Sequence, residues 1–447
     1  MSKFGRPVDV EVLPKCCDAI FADANKLKFQ EVRIQCSSTD TLKEQMEAMG
    51  FTKRWDTNII SKELMPWVLQ EKSAENWKRF QIEYFSPQEG AAMDENSSFL
   101  EIENNVKFLY DFELSRKHVD FGDWEQRFKT ETAKILNSDL TVNVRNLRNF
   151  RGLQIFVADR PSVTLKNVYH PSKLYYFVKH FLNYFLGTQR GGVREAMDGF
   201  GTLEELDFDY ILRSIPSSGI GNPLHIYRKG CVFTQRYIWN IYLIGVFKKY
   251  LNIKMNSNFT AMDIGCSYGL FSSLLKKIYP ESHHILVDMP GQLILAHYYL
   301  QKLFPEAKIA GFRDVGKVLM IDSEFVKKYD FVLLPVSMYS KLSTDSLDVV
   351  SNFASLSEMT RHWFDTYIQS DPFKNAKFLF TVNRYDAYPT YHSGVTVLDY
   401  PFQDYKRILM GTCPIFPFYY LQYWMFFYKR MPYPSQFFQF IGELRNV

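Results

Sequence analysis

The sequence predicts an α/β fold for the C-terminal half of the chain: a parallel sheet covered by helices on both faces. Three observations predict it. From residue 259 onward, short apolar runs alternate with segments of helical periodicity. A glycine turn, Gly265-Cys266-Ser267-Tyr268-Gly269, separates the first run from the first helical segment. The next run ends on a carboxylate, Asp288.

The elements follow in order. Residues 259–264 read as the first strand. Leu270, Phe271, Leu274, Leu275 and Ile278 recur at helical spacing until Pro280 stops them. Ile285-Leu286-Val287 reads as the second strand, and 293–303 as a helix that stops near Pro305. Short strands are expected at 308–310, 331–334, 347–351 and 378–382, and a helix over 355–368. Upstream, 237–251 reads as an aromatic-rich helix leading into this region. Between 99 and 187 the apolar spacing is mostly helical, as in Val106-Phe108-Leu109-Phe112 and in Leu174-Phe177-Val178-Phe181-Leu182-Phe185. Residues 188–192 read as a turn. Near the start, Glu31–Gln35 alternates as a strand does, 41–49 carries a helical pattern, and 88–98 has loop composition. The expected organisation is a small mixed α/β region over 1–90, a mainly helical region over 98–235 serving as acceptor or oligomer domain, and the sheet domain over 236–447.

Composition excludes several classes. The 447 residues are 46% hydrophobic and 23% charged, a globular balance. A net charge of +4, without a dense basic stripe, does not point to nucleic acid; Lys276-Lys277 and Lys327-Lys328 read as helix-face pairs. The 39 Phe and 28 Tyr are read as an aromatic core before they are read as sugar-stacking walls. None of Cys16, Cys17, Cys36, Cys231, Cys266 and Cys413 falls in a C-x-x-C pattern, which argues against zinc and dithiol chemistry and for a reducing cytoplasm. No secretory signal follows Met1. Residues 416–428, FPFYYLQYWMFFY, are too short to span a bilayer. They are expected to pack on the sheet domain or line a cleft, with peripheral contact at the inner face of the membrane as the alternative.

The turn after the first strand carries the chemistry. Gly265 and Gly269 let backbone approach a ligand and let helix pack on strand. Helix amides beyond the turn can meet a carboxylate. Asp263, just before the turn, can accept from an ammonium or a bridging water. Asp288 follows Gly269 by 19 residues, the spacing of an acid that grips ribose hydroxyls. An adenosine cofactor accounts for both acids and the turn between them.

Asp263-x-Gly265-x-Ser267-x-Gly269 resembles the first motif of class I S-adenosylmethionine methyltransferases, with Ser267 in place of the family's middle glycine. Asp288-Met289-Pro290 with the helix after it, Asn352-x-x-Ser355-x-Ser357-Glu358-Met359, and Gly221-Asn222-Pro223 resemble segments of a narrower group, the sugar O-methyltransferases of bacterial surface-glycan loci. The likeness covers roughly 220–400. It implies a Rossmann-like methyltransferase domain that binds S-adenosyl-L-methionine through Asp263, Gly265, Cys266, Ser267, Tyr268, Gly269, Asp288, Met289 and Asn352. It also implies a sugar or glycan acceptor, nucleotide-linked or polymeric. Glu358, His392 and Asp386 are the candidate bases, Glu358 leading, with Asn352 orienting; Mg²⁺ on carboxylates is the alternative way to acidify the hydroxyl.

Plainer readings stand beside these. Asp263 could cap a helix, Glu358 could be a solvated helix face, and His392 an exposed loop residue. His283-His284 are expected to begin the second strand and do no chemistry. The turn also spells G-x-S-x-G, the nucleophile elbow of an α/β-hydrolase, with Ser267 as nucleophile and Asp365 and His392 in the required order. A methyltransferase on a non-sugar small molecule and a degenerate structural partner complete the alternatives.

Overall fold

A computed structural model of the chain describes residues 31–35, 52–53, 59–63, 81–84, 95–114, 125–156, 190–251, 253–254, 257–343, 347–387, 394–415, 418–424, 427–433 and 435–445. In chain order the elements are β1 (Glu31–Gln35), β2 (Thr52–Lys53), β3 (Ile59–Glu63), β4 (Gln81–Tyr84), α1 (Glu95–Leu114), α2 (Glu125–Ile135), α3 (Val144–Arg148), α4 (Arg190–Glu205) and α5 (Asp209–Ser214). Then come β5 (Leu224–Arg228), β6 (Cys231–Phe233), α6 (Gln235–Leu251), β7 (Thr260–Ile264), α7 (Leu270–Ile278), β8 (His283–Asp288), α8 (Pro290–Leu303), β9 (Ile309–Ala310), α9 (Phe312–Lys317), α10 (Ser323–Val326) and β10 (Phe331–Pro335). The rest are β11 (Val349–Phe353), α11 (Arg361–Ile368), α12 (Asp371–Lys374), β12 (Phe378–Arg384), β13 (Tyr405–Thr412), β14 (Phe418–Trp424), β15 (Phe427–Tyr433) and β16 (Phe437–Leu444).

The chain forms two compact units. The larger comprises Asn76–Phe353 and Gln369–Leu379. Its principal strands run in the order β11-β7-β8-β10-β9, and every neighbouring pair is parallel. All five residues of β7 and of β10 are buried, which is why these strands read as unbroken apolar runs rather than alternating ones. This is the α/β, Rossmann-like fold expected from the strand–helix alternation. The chain leaves β7 for β8 on one side and later returns to place β11 on the other. The order therefore reverses between β7 and β11, and the register brings Ile264 opposite both Val287 and Asn352. Ligands of such sheets bind at this reversal, outside the carboxyl ends of the strands.

Helices close the larger unit. α6 is buried nearly all round, from Tyr237 through Phe247, as a helix enclosed by other elements must be. Its Phe247 ring meets Phe259, Phe271 and Tyr279 at centroid distances of 6.1, 6.3 and 5.8 Å. The aromatic excess of the sequence is used here as core, in the offset and edge contacts that rings prefer. α1 packs over α8 and α9: Phe99 stacks on Tyr298 at 5.9 Å, and the Asn105 side-chain oxygen accepts from the Arg313 N–H at 2.9 Å. Arg151, fully buried, donates to the Ser218 and Ile220 carbonyls, and the Gly221 carbonyl accepts from the Arg151 and Gly152 N–H groups. Gly221-Asn222-Pro223 is thereby a turn clamped by the 149–152 loop. β4, β5 and β6 form a separate antiparallel sheet.

The smaller unit comprises Met1–Glu75, Ala354–Ile368 and Phe380–Val447. Its strands β13, β16 and β12 lie in that order, with β13 and β16 antiparallel. β14 and β15 pair antiparallel as a two-stranded sheet, and β1-β3-β2 form a three-stranded one.

Two local expectations are corrected. The turn expected over 188–192 is helix from Arg190, because Ala196, Met197, Phe200 and Leu203 form a buried face along α4 that extends the helix past its glycines. The helix expected over 355–368 is broken. Leu356–Glu358 is a single 3₁₀ turn, and α11 starts only at Arg361. The cause is Ser357, whose N–H and hydroxyl both donate to the Asn383 side-chain oxygen at 3.3 Å. The helical patterns expected over 41–49 and 174–187 lie outside the described residues.

Two helical glycines yield a test with opposite signs. A Cβ on Gly245 of α6 would lie 2.4 Å from the Phe208 ring, whereas one on Gly201 of α4 would meet nothing within 4 Å. Gly245→Ala should destabilise by about 1–3 kcal/mol through overpacking, and Gly201→Ala should stabilise by about 0.5–1 kcal/mol through helix propensity. Thermal and urea unfolding of the two variants would measure both.

Candidate functional site

The candidate site is built on the ends of β7, β8 and β11. At the end of β7 the chain turns through left-handed backbone three times, at Gly265 (φ 74°), Ser267 (φ 55°) and Gly269 (φ 79°). The Gly265 N–H donates to the Val287 carbonyl at 2.7 Å, which holds the turn against β8. At Gly269 a Cβ would come within 2.9 Å of Leu286, so the glycine lets α7 lie close on the sheet. Ser267 adopts the conformation that the middle glycine of the resembled motif would reach more cheaply.

Asp288 is the hub of this turn. One carboxylate oxygen accepts from the Ser267 N–H and the other from the Met289 N–H, both at 2.7 Å. Each oxygen keeps a further lone pair for another donor. The Ser267 hydroxyl donates to the Gln292 side-chain oxygen at 3.4 Å, and the Gln292 amide donates to the Phe156 carbonyl. Met289 is the N-cap of α8 and Pro290 its first residue, a position where the missing N–H costs nothing.

Asp263 is buried, and one of its oxygens accepts from the Ser351 hydroxyl at 3.1 Å. It does not cap α7; that position belongs to Gly269, without a side-chain cap. Asn352, fully buried, donates to the Ile264 carbonyl at 2.6 Å and so ties β11 to β7 at the reversal of strand order. Cys266 and Tyr268 are buried too. Tyr268 lies edge-on to Phe150 and Tyr299 with the Arg151 guanidinium over its ring at 5.5 Å.

Burial dominates the electrostatics. It pushes the Asp263 carboxyl up to about 8, against the Ser351 hydrogen bond, which pulls it down; the neighbouring Asp288 adds to the rise. Asp288 keeps part of its surface open yet is ringed by protein, and burial raises it to about 7 against the two backbone N–H groups. Arg236, in the first turn of α6, lowers both. Burial also drives the Cys266 thiol upward, away from nucleophilic chemistry. Burial thus holds two carboxyls near neutrality at the ends of neighbouring strands, and groups so perturbed cluster at functional sites.

The candidate bases belong to the smaller unit. Glu358, half-buried, ends the 3₁₀ turn that Ser357 fastens to Asn383. Asp386 is exposed and pairs with Thr396 in an isolated antiparallel bridge. His392 lies outside the described residues, as do Tyr388 and Tyr391. Among the described residues no group of three or more His, Cys, Asp or Glu is placed to hold a metal ion. Nothing supports the hydrolase reading: the Ser267 hydroxyl faces Gln292, and Asp365 is an ion-pair partner of Arg361 on α11. His283 and His284 begin β8, bonded to the Tyr329 carbonyl and the Ser282 hydroxyl.

Ser351 and Gln292, which bond to Asp263 and to Ser267, were not legible as site residues. Ser351 acquires meaning only once β11 lies beside β7.

No family model matches the chain, and no curated protein matches it in sequence. Among solved structures it is similar to a mitomycin 7-O-methyltransferase, with 10% identity over 47% of this chain and 57% of that one and a TM-score of 0.27. It is also similar to the precorrin-6y C5,15-methyltransferase of Geobacter metallireducens, with 10% identity over 44% of this chain and 87% of that one and a TM-score of 0.24. A third is M. capricolum TrmK in complex with S-adenosylhomocysteine, with 9% identity over 45% and 69% of the two chains and a TM-score of 0.25. The chain thus spans somewhat over half the length of the mitomycin enzyme.

Asp263 gives a pH test. Its folded-state value of about 8 exceeds the ordinary 3.8, so the stability it confers is complete only below about 3.8, falls as pH rises from there, and is fully lost once pH has passed through about 8. The ligand-free protein should melt at a lower temperature near pH ~9 than near pH ~5, and Asp263→Asn should flatten that decline and melt above wild type at the alkaline end. Calorimetric melting across this range decides; a variant that melts below wild type at alkaline pH contradicts the assignment.

Proposed function

We propose that the protein is an S-adenosylmethionine-dependent O-methyltransferase acting on a sugar hydroxyl in bacterial surface-glycan biosynthesis, in the cytoplasm. The observation that carries the reading is the pair of buried carboxyls, Asp263 and Asp288, flanking a left-handed turn at the reversal of strand order. The residues fit the cofactor. Asp288 keeps lone pairs for two ribose hydroxyls after accepting its two backbone N–H groups. Asp263 has one oxygen engaged by Ser351 and can take an ammonium on the other. The backbone from Gly265 through Cys266, Ser267 and Tyr268 to Gly269 supplies the close approach, with Met289 beside the ribose acid and Asn352 bracing the far strand.

Bound there, the cofactor supplies a methyl group already activated on a sulfonium. The chain then has to hold the acceptor oxygen in line and remove its proton. Positioning alone can supply several kcal/mol of the barrier. A sugar hydroxyl is weakly acidic, and a base adds roughly 10²–10⁴-fold. Glu358 is our first candidate for that base, with His392 and Asp386 as the others; a Mg²⁺ requirement is the competing route, tested by chelation. The sugar acceptor rests on the resemblance of the Asn352 to Met359 segment and of Gly221-Asn222-Pro223 to the glycan-locus family. Residues before 236 are assigned to the acceptor site or an oligomer interface.

Titration calorimetry should show binding of S-adenosylmethionine, and Asp288→Ala should weaken it by about 1–3 kcal/mol through loss of charge-assisted hydrogen bonds. No binding to the intact protein ends the reading. Labelled methyl transfer should then be found on nucleotide sugars or purified glycans. Activity on another small molecule alone would keep the chemistry and overturn the acceptor. Wild-type turnover by both Glu358→Gln and His392→Ala at saturating acceptor would remove those residues as bases.

A further inference from the structure

A cofactor with an amino-acid end brings a carboxylate into the site beside its ammonium and its ribose. Asp263 and Asp288 suit the ammonium and the hydroxyls, and they repel the carboxylate. The turn after β7 has few donors left for it. The Gly265 and Cys266 N–H groups donate to the Val287 carbonyl at 2.7 and 3.4 Å, the Ser267 N–H to Asp288 at 2.7 Å, and the Gly269 N–H to the Cys266 carbonyl at 3.0 Å. A backbone turn holds an anion through N–H groups that point at it, and these four are turned elsewhere. A carboxylate placed beside two acids calls for a side-chain cation.

Arg236, in the first turn of α6, is placed to be that cation. At the far end of α6, the Phe247 ring meets Phe259, just before β7, and Tyr279, just after α7, at 6.1 and 5.8 Å. That end therefore lies at the amino end of β7. The ~16 Å of helix between Phe247 and Arg236 is about the length of β7 at ~3.3 Å per residue. At the near end, the Thr234 hydroxyl accepts from the Tyr237 N–H at 3.2 Å and from the Arg151 guanidinium at 3.4 Å. The same guanidinium lies 5.5 Å over the ring of Tyr268, in the turn. The start of α6 is thus fastened beside the turn, at the carboxyl end of β7. Arg236 is half-buried there, and its charge lowers Asp263, Asp288 and Cys266 together. The hydrogen bonds of the two acids go to Ser351, Ser267 and Met289, and Arg236 acts on both as a neighbouring charge.

We infer that the Arg236 guanidinium binds the carboxylate of the cofactor's amino-acid end, beside the ammonium held by Asp263. A planar guanidinium presents paired donors that match the two oxygens of a carboxylate. Two acids and one cation then face the two cationic centres and one anionic centre of a sulfonium amino acid. Arg236 makes the site selective for an intact amino-acid end over a decarboxylated one. The inference rests on the methyl-transfer reading.

Titration calorimetry would compare S-adenosylhomocysteine with its decarboxylated analogue, which keeps the amine and lacks the carboxylate. The unaltered protein should bind S-adenosylhomocysteine roughly 10–100-fold more tightly, the worth of charge-assisted hydrogen bonds. Arg236→Gln should abolish that preference. S-adenosylhomocysteine should fall to the level of the analogue, while the analogue binds at least as tightly as before, because a cation has left the neighbourhood of its amine. Arg236→Lys, which keeps the charge, should restore part of the preference. A merely structural role for Arg236 would weaken both compounds alike, and that result overturns the inference. Equal binding of the two compounds by the unaltered protein also overturns it, needs no variant, and leaves the methyl-transfer reading standing. Binding of neither compound would remove that reading and the inference together.

Discussion

The carboxylate of Asp288, shared between the N–H groups of Ser267 and Met289, is the interaction on which the site depends. It ties the turn after β7 to the start of α8, two segments the chain visits more than 20 residues apart. With it in place, the left-handed turn cannot drift from the end of β8, and Gln292 is brought to the Ser267 hydroxyl. The cost is a carboxyl in a poorly solvated place, with a second one, Asp263, on the neighbouring strand. Folding alone does not favour raising two acids together, and groups perturbed in this way cluster at functional sites.

Much of the sheet could be read from the chain because parallel strands buried on both faces write themselves as continuous apolar runs. The runs around Met262, Leu286 and Leu333 each became a strand, and Pro280 and Pro305 mark where helices had to stop. The left-handed turn was legible from its two glycines. The order of the strands was not. Nothing in the run at 347–351 says that it lies beside β7 rather than at an edge, and so the Ser351–Asp263 hydrogen bond and the Asn352 brace could not be foreseen. The broken helix after Ser355 failed for a related reason: local periodicity favoured a helix, and a long-range partner, Asn383, outweighed it.

The aromatic excess resolves into different uses. In the larger unit it is core, as the ring contacts of Phe247 show. Arg151 adds a cation to that interior, and it is tolerable there because two backbone carbonyls and the Thr234 hydroxyl take its protons. In the smaller unit, Tyr400, Phe402, Phe438 and Phe440 repeat the pattern, with Phe402 and Phe440 stacked at 4.2 Å.

Ser267 sets a condition on how the site meets a ligand. A side-chain-bearing residue at φ 55° sits in a backbone region that glycine enters freely and serine does not, at a cost on the order of 1 kcal/mol. A glycine there would spare that cost but would let the turn sample many shapes when empty. Serine exchanges a little strain for a narrower ensemble, and its hydroxyl bond to Gln292 narrows it further. The turn therefore holds its shape before anything binds, and the ordering entropy that a flexible glycine loop would surrender at each encounter has been spent once, when the chain folds.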